Sequence, residues 1–373
     1  MKEVRTCTRC VMNDASDKSI VFDAEGRCNY CTDALALIGS VFNLSEEEGQ
    51  RRLNELLTKI KTENKDKPYD CVMGISGGLD SSYLAYLGYK WGLRILAVHV
   101  DDGYDTEISK NNIRKLCEAA HIELRTITPD AEQFNDLTLA YMKAGVPNLA
   151  VPQDNILFAF LYDTVKKEGL KYFLSGENHA LEAILQKDHL FDALDVTNIR
   201  GIHRRFGTKG IDKLKFVSTL TRFIMIHSKK MISYAPLNLV DYNRQRAFRE
   251  LKEFCGFEYY GGKHLENMLT AFVQLYWLPK KFGLDKRTSH LSSLIASGQM
   301  SRDEALAELE KPLYDEKMMA EYIAIIKNRL GLSDEEFEAI MAAPAHAHEE
   351  YGTQKAVLAL RKFYLLLKPI FKK

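Results

Sequence analysis

The run Val72-Met73-Gly74-Ile75-Ser76-Gly77-Gly78-Leu79-Asp80-Ser81-Ser82 holds the residues best placed for chemistry. Asp70 to Ile75 reads as a buried strand, and Tyr83-Leu84-Ala85-Tyr86-Leu87 begins a helix. A strand, a Gly-Gly loop and a helix start aim several backbone N–H groups at one point, where the helix dipole adds positive charge. An anion can bind there. Gly77 and Gly78 permit close backbone approach, and Ser76, Ser81 and Ser82 offer hydroxyl donors. The loop is not the P-loop, which needs G-x-x-x-x-G-K-[ST]; Asp80, not Lys, precedes Ser81. A carboxylate beside a phosphate nest calls for a divalent cation between them, and Asp80 is the candidate Mg²⁺ ligand.

A second chemistry sits at the N-terminus. Cys7-Thr8-Arg9-Cys10 and Cys28-Asn29-Tyr30-Cys31 are C-x-x-C knuckles, separated by residues 11–27. That spacing suits a zinc ribbon. Four thiolates close a tetrahedral site, so the Zn²⁺ expected on Cys7, Cys10, Cys28 and Cys31 is structural. Val21 to Arg27 reads as a strand entering a turn. Cys71, Cys117 and Cys255 stand singly and are expected in the core.

These residues need a scaffold. Ser45-Glu46-Glu47-Glu48 reads as a capping box opening a helix over 46–63. Strands are expected at 70–75, 94–100, 123–127 and 172–175, alternating with helices at 107–120 and 155–168. That alternation implies an α/β fold with a doubly wound parallel sheet and a ligand crevice at the strand C-termini. Beyond 243 the pattern turns helical, with capping boxes at Ser301–Glu304 and Ser333–Glu336. Lys355 to Phe371 reads as an amphipathic helix packing on the body.

Bulk composition narrows the class. The chain has 373 residues, 46% hydrophobic, with 51 basic and 51 acidic side chains. A sizeable core is possible, and no basic excess marks a nucleic-acid footprint. No run suggests a membrane span or signal peptide, so a cytoplasmic enzyme is expected.

Polar groups follow two further strands. Asp101 or Asp102 can reach a ribose or a metal, or simply cap a turn. Ser175-Gly176-Glu177-Asn178-His179 faces the same crevice. Three cationic segments, Arg200–Gly207, Tyr259–Asn267 and Lys280–Ser292, suit an oxyanionic ligand, with a solvated basic face as the equal alternative.

Ser76 to Ser81 resembles the signature of the PP-loop, or N-type, ATP pyrophosphatases. That family splits ATP between its α- and β-phosphates and transfers AMP to a carbonyl oxygen. The resemblance places Gly176 and Glu177 near the adenylate. The run from Tyr260-Gly261-Gly262-Lys263-His264 through Phe282-Gly283-Leu284-Asp285-Lys286-Arg287 to His290–Ile295 is similar to the C-terminal half of the WbpG/PseA-type N-acetyl-sugar amidotransferases. The Cys7–Met12 knuckle and the Ser76–Ser82 loop also match that family's arrangement. The expected organisation is a zinc ribbon over 1–40, a PP-loop α/β domain over 41–242 and a helical substrate region over 243–373.

The resemblance implies that an acetamido group on a nucleotide-activated sugar becomes acetamidino through an O-adenyl imidate, in bacterial surface-glycan biosynthesis (O-antigen or flagellin glycan). ATP and Mg²⁺ are implied. Asp80, Ser81, Lys263 and Lys286 carry the catalytic expectation, with Ser76, Gly77, Gly78, Ser82 and Asp101 on the nucleotide. Arg204, Arg205, His264, Arg287 and His290 are expected on the sugar nucleotide. No Cys sits where a glutaminase nucleophile would stand. A separate glutaminase and an ammonia-channelling barrel protein are therefore expected partners. A tRNA-thiolating PP-loop enzyme is the alternative; neutral charge and the lack of a third C-x-x-C weigh against it. A nucleotide-sensing module would not need the Asp80 loop together with three cationic segments.

Overall fold

Five short parallel strands order the chain in the sequence β3-β2-β1-β4-β5. They are β1 (Cys71–Gly74), β2 (Ile95–Val100), β3 (Glu123–Ile127), β4 (Tyr172–Leu174) and β5 (Ile232–Tyr234). This arrangement comes from a computed structural model that describes residues 4–354. The expected helix over Lys355–Phe371 lies outside the described residues. The fold is the doubly wound α/β class that the alternation implies. The strand order reverses between β1 and β4, so the crevice falls at their carboxyl ends.

The sheet is buried on both faces, which explains the near-continuous apolar runs of β1 and β2. Met73, Ile75, Ile95 and Ala97 pack one face against α3 (Leu79–Lys90) and α4 (Glu107–Ala119). Val72, Leu96, Val98 and Phe173 pack the other against Leu161 and Val165. Those two belong to α6 (Val151–Lys167), which follows α5 (Ala131–Ala144) and starts earlier than the expected Asn155, with Pro152 in its first turn. β5 carried no strong strand pattern; it exists because Ile232 N–H and its neighbours pair with β4.

At the N-terminus, α1 (Asn29–Leu35) and α2 (Glu46–Glu63) precede the sheet. The expected ribbon arm at Val21–Arg27 reduces to one bridge, Phe22 with Cys28. Ser45 accepts from Glu48 N–H, but the reciprocal half of that capping box is missing because Glu48 is held by Arg51 and Arg52. Cys71 and Cys117 are buried as expected, while Cys255 is only partly covered.

After β4 come α7 (His179–Glu182), α8 (Val196–Phe206), α9 (Thr219–His227) and α10 (Arg244–Cys255). Next are α11 (Met268–Phe272), a π-helical stretch over Val273–Trp277, α12 (Leu278–Phe282) and α13 (Arg287–Ala296). Then follow α14 (Arg302–Glu310), α15 (Glu316–Leu330) and α16 (Asp334–Ala342). Both later capping boxes form, at Ser301 and Ser333. Ala247 and Leu251 of α10 and Leu291 and Leu294 of α13 share the core of Met73 and Leu84. A second core joins α5, α8, α11, α15 and α16 around Trp277, Phe272 and Tyr141. No described helix is long and apolar enough to cross a membrane.

Candidate active site

β1 ends at Gly74, and the chain must turn within four residues to start α3 at Leu79. Gly77 makes this possible with φ +75°; a Cβ there would stand 2.5 Å from the carbonyl oxygen of Ser109. That atom is backbone and cannot yield, so only glycine fits this turn. The loop holds itself in shape. Ser76 N–H and Gly78 N–H donate to Ser81 Oγ and Ser76 Oγ, both at 3.2 Å. Leu79 N–H donates to Tyr260 Oη at 2.7 Å, so a tyrosine oxygen already sits on the first free amide of α3.

Gly176 lets the β4 loop close on this turn. A Cβ on it would be 3.1 Å from Ser81 N. Gly176 and Glu177 therefore stand beside Asp80 and Ser81, as expected. Ser82 does not join them. Its side chain is buried without a hydrogen-bond partner, because the helical turn rotates it from the crevice into the core.

Asp80 is the centre of a charge cluster. Tyr242 Oη donates to its Oδ1, and Lys263 Nζ donates to its Oδ2 at 2.8 Å. The same ammonium lies 3.1 Å from Glu182 Oε1, and His264 Nε2 lies 3.2 Å from that oxygen. Two carboxylates thus converge on one buried cation. Their charge pushes Lys263 up despite burial, while Lys263 and His264 hold Glu182 well below the usual carboxylate range. Asp80 and Glu182 fit a divalent cation: the lysine ammonium already neutralises both from a single point.

His264 adopts φ +61°, a left-handed conformation costly for a non-glycine residue. It packs edge-on to His290, with ring centroids 6.1 Å apart. Burial and the nearby Lys286 and Lys263 hold His290 neutral, well below the usual imidazole range. Burial lowers Lys286 as well, and among the described residues its Nζ meets no hydrogen-bond acceptor. These groups line a cavity of about 770 Å³, together with Ser76, Gly78, Asp80 and Ser81. A second cavity, about 460 Å³, opens over the carboxyl ends of β1, β2 and β4. The two share Ser76, Ser81, Gly176, His264, Glu266 and Gln274.

Several expected ligand residues are occupied elsewhere. Arg287 Nε and Nη2 donate to Asp285 at 2.8–3.2 Å, and its other bonds go to the carbonyls of Glu308, Leu309 and Lys311. It lines the larger cavity but staples the end of α14. Lys281 does the same for α16, donating to Ile340, Met341 and Ala343 carbonyls. Arg204 and Arg205 lie exposed on α8 and line neither cavity, because Ile199 and Ile202 take that helix's inward face. Arg205 stacks over Phe206 and Tyr351. Gly201 in that segment answers to packing: a Cβ would meet Tyr351 carbonyl oxygen at 1.8 Å. Asp101 lines neither cavity and accepts from Gly103 N–H.

Glu182, Tyr242 and Glu266 were not assigned a role by sequence, and Tyr260 entered only as the first residue of the Tyr260–His264 run. Glu266 accepts from Ser76 Oγ at 3.0 Å and borders both cavities. It was visible inside the Tyr259–Asn267 segment; Glu182 and Tyr242 had no local signal. The loop after β2 positions Glu266, because Thr106 N–H donates to its carbonyl and Met268 N–H donates to Tyr104 carbonyl.

The four knuckle cysteines are buried with Sγ–Sγ distances of 3.7 Å (Cys7–Cys31) and 3.5 Å (Cys10–Cys28). A tetrahedral ion with Zn–S near 2.3 Å spaces its sulfurs about 3.8 Å apart, so the cluster fits zinc. Cys10 N–H and Cys28 N–H donate to Cys7 Sγ at 3.4 and 3.2 Å.

Exchanging the two neighbouring cations separates ligand contact from scaffold. Lys286→Ala should lower kcat/KM about ten- to a hundred-fold, the worth of roughly 1.5–3 kcal/mol for a charge-assisted bond, with an unchanged melting temperature. Arg287→Ala should do the reverse and lower the melting temperature first. Wild-type kinetics in Lys286→Ala would remove it from the site.

Residues 266–364 match the family described as "LPS biosynthesis protein WbpG-like, C-terminal domain". Residues 70–163 match "Queuosine biosynthesis protein QueC", a PP-loop family. An uncharacterized protein of Methanocaldococcus jannaschii, MJ1599, is 22% identical over 307 residues, covering 82% of this chain and 93% of its own. Among solved structures, NMN synthetase from Francisella tularensis is similar at 16% identity, with TM-score 0.35, covering 76% of this chain and 94% of that one. The NH3-dependent NAD synthetase from Campylobacter jejuni is 16% identical, with TM-score 0.30, covering 56% and 93%.

Proposed function

We propose that this chain, an ATP-dependent PP-loop enzyme carrying a WbpG-like C-terminal domain, converts an acetamido group of a nucleotide-activated sugar into an acetamidino group. One observation carries the reading. The larger cavity is lined by Ser76, Gly78, Asp80 and Ser81 of the Gly-Gly loop together with Glu266, Lys286 and His290 from the stretch matching the WbpG-like domain.

The chemistry follows from the problem. An amide is a weak electrophile with a poor leaving group. Attack of the amide oxygen on the α-phosphorus of ATP breaks the bond to the β-phosphate and gives an O-adenyl imidate and pyrophosphate. Ammonia then adds to the imidate carbon, a proton is lost, the C–O bond breaks and AMP departs. The loop amides and Ser81 hydroxyl hold the departing pyrophosphate, displacing Tyr260 from Leu79 N–H. Asp80 and Glu182 would hold a Mg²⁺, which would supply further charge neutralisation on those oxygens. Lys263, freed from its two carboxylates, moves onto phosphate. Lys286 and neutral His290 face the acceptor. The nucleoside of ATP takes the cavity over β1 and β2, with Gly176 and Glu177 beside the α-phosphate. Cys7, Cys10, Cys28 and Cys31 hold a structural zinc.

The decisive experiment is mass spectrometry of the protein with MgATP, ammonium and a panel of UDP-diacetamido sugars. Replacement of one O by NH in the sugar, with stoichiometric AMP and pyrophosphate, is the expected result. Pyrophosphate release with tRNA instead would favour thiolation. Free ammonium should suffice, whereas glutamine should serve only with a separate glutaminase and its ammonia-delivering barrel partner. Glutamine hydrolysis by the isolated chain at the rate of turnover would reveal a catalytic Cys of its own.

A further inference from the structure

At the carboxyl end of β2, His99 and Asp105 are both 6% exposed, with Asp101 beside them. One donor atom from each of the three lies within 4.8 Å of the others. His99 Nδ1 is 3.0 Å from the carbonyl oxygen of Ile75. A carbonyl can only accept, so Nδ1 carries a proton there and the ring turns its Nε2 inward, toward Asp105. Metal-binding imidazoles are oriented by this kind of backbone contact. Nε2 stands 3.0 Å from Asp105 Oδ2, yet neither atom makes a hydrogen bond. The two atoms are close but not aligned for a shared proton. Adjacent ligands about 2.1 Å from one octahedral ion stand about 3.0 Å apart.

The remaining contacts hold the carboxylates in place. Asn267 Nδ2 donates to Asp105 Oδ1 at 3.3 Å, and Gly103 N–H donates to Asp101 Oδ1 at 2.9 Å. One oxygen of each carboxylate is thus fixed while the other stays available. His99 and Asp105 also line the smaller cavity, giving an ion an entry path and room for water or a ligand oxygen.

We propose that His99, Asp101 and Asp105 form a divalent transition-metal site at the end of β2, distinct from the cysteine cluster and from the Asp80–Glu182 pair. One imidazole with two carboxylates favours Mn²⁺, Fe²⁺ or Zn²⁺, and three protein ligands leave positions open toward the cavity. The proposal does not depend on the sugar chemistry above, and its test uses neither nucleotide nor sugar.

The probe is Mn²⁺, which thiolate sites disfavour. Mn²⁺ is titrated by electron paramagnetic resonance into the full chain carrying Asp80→Asn, so that the loop carboxylate does not contribute. One saturable site is expected. Adding His99→Gln or Asp105→Asn should weaken it at least tenfold. Binding unchanged by both substitutions, or no binding, overturns the proposal. Should either variant fold poorly, the imidazole ¹⁵N spectrum of the His99-intact protein decides. A ring protonated at Nδ1 alone, broadened by substoichiometric Mn²⁺, supports the site. A doubly protonated ring indifferent to Mn²⁺ identifies an internal ion pair and overturns it.

Discussion

Asp80→Asn should abolish pyrophosphate release, with kcat falling on the order of a hundred- to a thousand-fold, as when one preorganised transition-state contact is removed. The substitution keeps shape and removes charge. The carboxamide oxygen can still accept from Tyr242, and Lys263 keeps Glu182 as a counter-ion, so the fold is expected to survive. What disappears is half of the two-carboxylate grip beside the phosphate nest. The measurement is pyrophosphate release at saturating MgATP and acceptor, with melting temperature and circular dichroism as controls. The loss should persist at high Mg²⁺ if Asp80 also fixes Lys263, and should recover in part if it only recruits the ion. Wild-type turnover in a folded variant would place the reaction elsewhere.

Removing the cysteine cluster should have the second large effect, reaching well beyond the N-terminus. Metal analysis of pure protein should find one zinc per chain, absent after substitution of Cys7, Cys10, Cys28 and Cys31 by Ser. Structural zinc contributes about 10–16 kcal/mol of binding free energy in isolated zinc-finger peptides, and much of that appears as local order. Here the knuckle is tied to the cavity wall. Arg302 donates to the carbonyls of Cys7 and Cys10 at 3.0–3.2 Å, and Val11 N–H donates to Ser292 Oγ at 3.2 Å. Ser292 lies on α13, the helix that carries His290 and follows Lys286. The melting temperature should therefore fall, and KM for the acceptor should rise before kcat changes. Acid should act in the same direction as substitution, because protonating thiolates releases the metal. A four-Ser variant that retains its zinc, or one that loses zinc with unaltered acceptor kinetics, would refute this coupling.

Where the chemistry depends on neighbours in sequence, the residues alone determined it. The strand–Gly77-Gly78–helix turn, the paired cysteines and the strands β1 to β4 follow from short spacings and local patterning, and the structure carries them. The crevice rule for parallel sheets brings the Ser175–His179 loop to the Gly77 turn, since the β1 and β4 ends must meet where the strand order reverses, while Gly176 and Glu177 were picked out within it by the resemblance to PP-loop enzymes. The fate of the cations was a different matter. Arg287, Lys281, Lys286 and Lys263 all sit in Gly-bearing polar segments and look alike in sequence. Only packing separates them: α14 and α16 end beside Arg287 and Lys281 and spend their donors on bare helix carbonyls, whereas Lys263 lands between Asp80 and Glu182. Arg204 and Arg205 are turned to solvent by the apolar stripe on their own helix. Glu182 and Tyr242 become site residues solely because the chain returns them to Asp80. The physical reason is range. Backbone conformation and chelation are set within a few residues, while the partner of a long charged side chain is set by which distant element packs beside it.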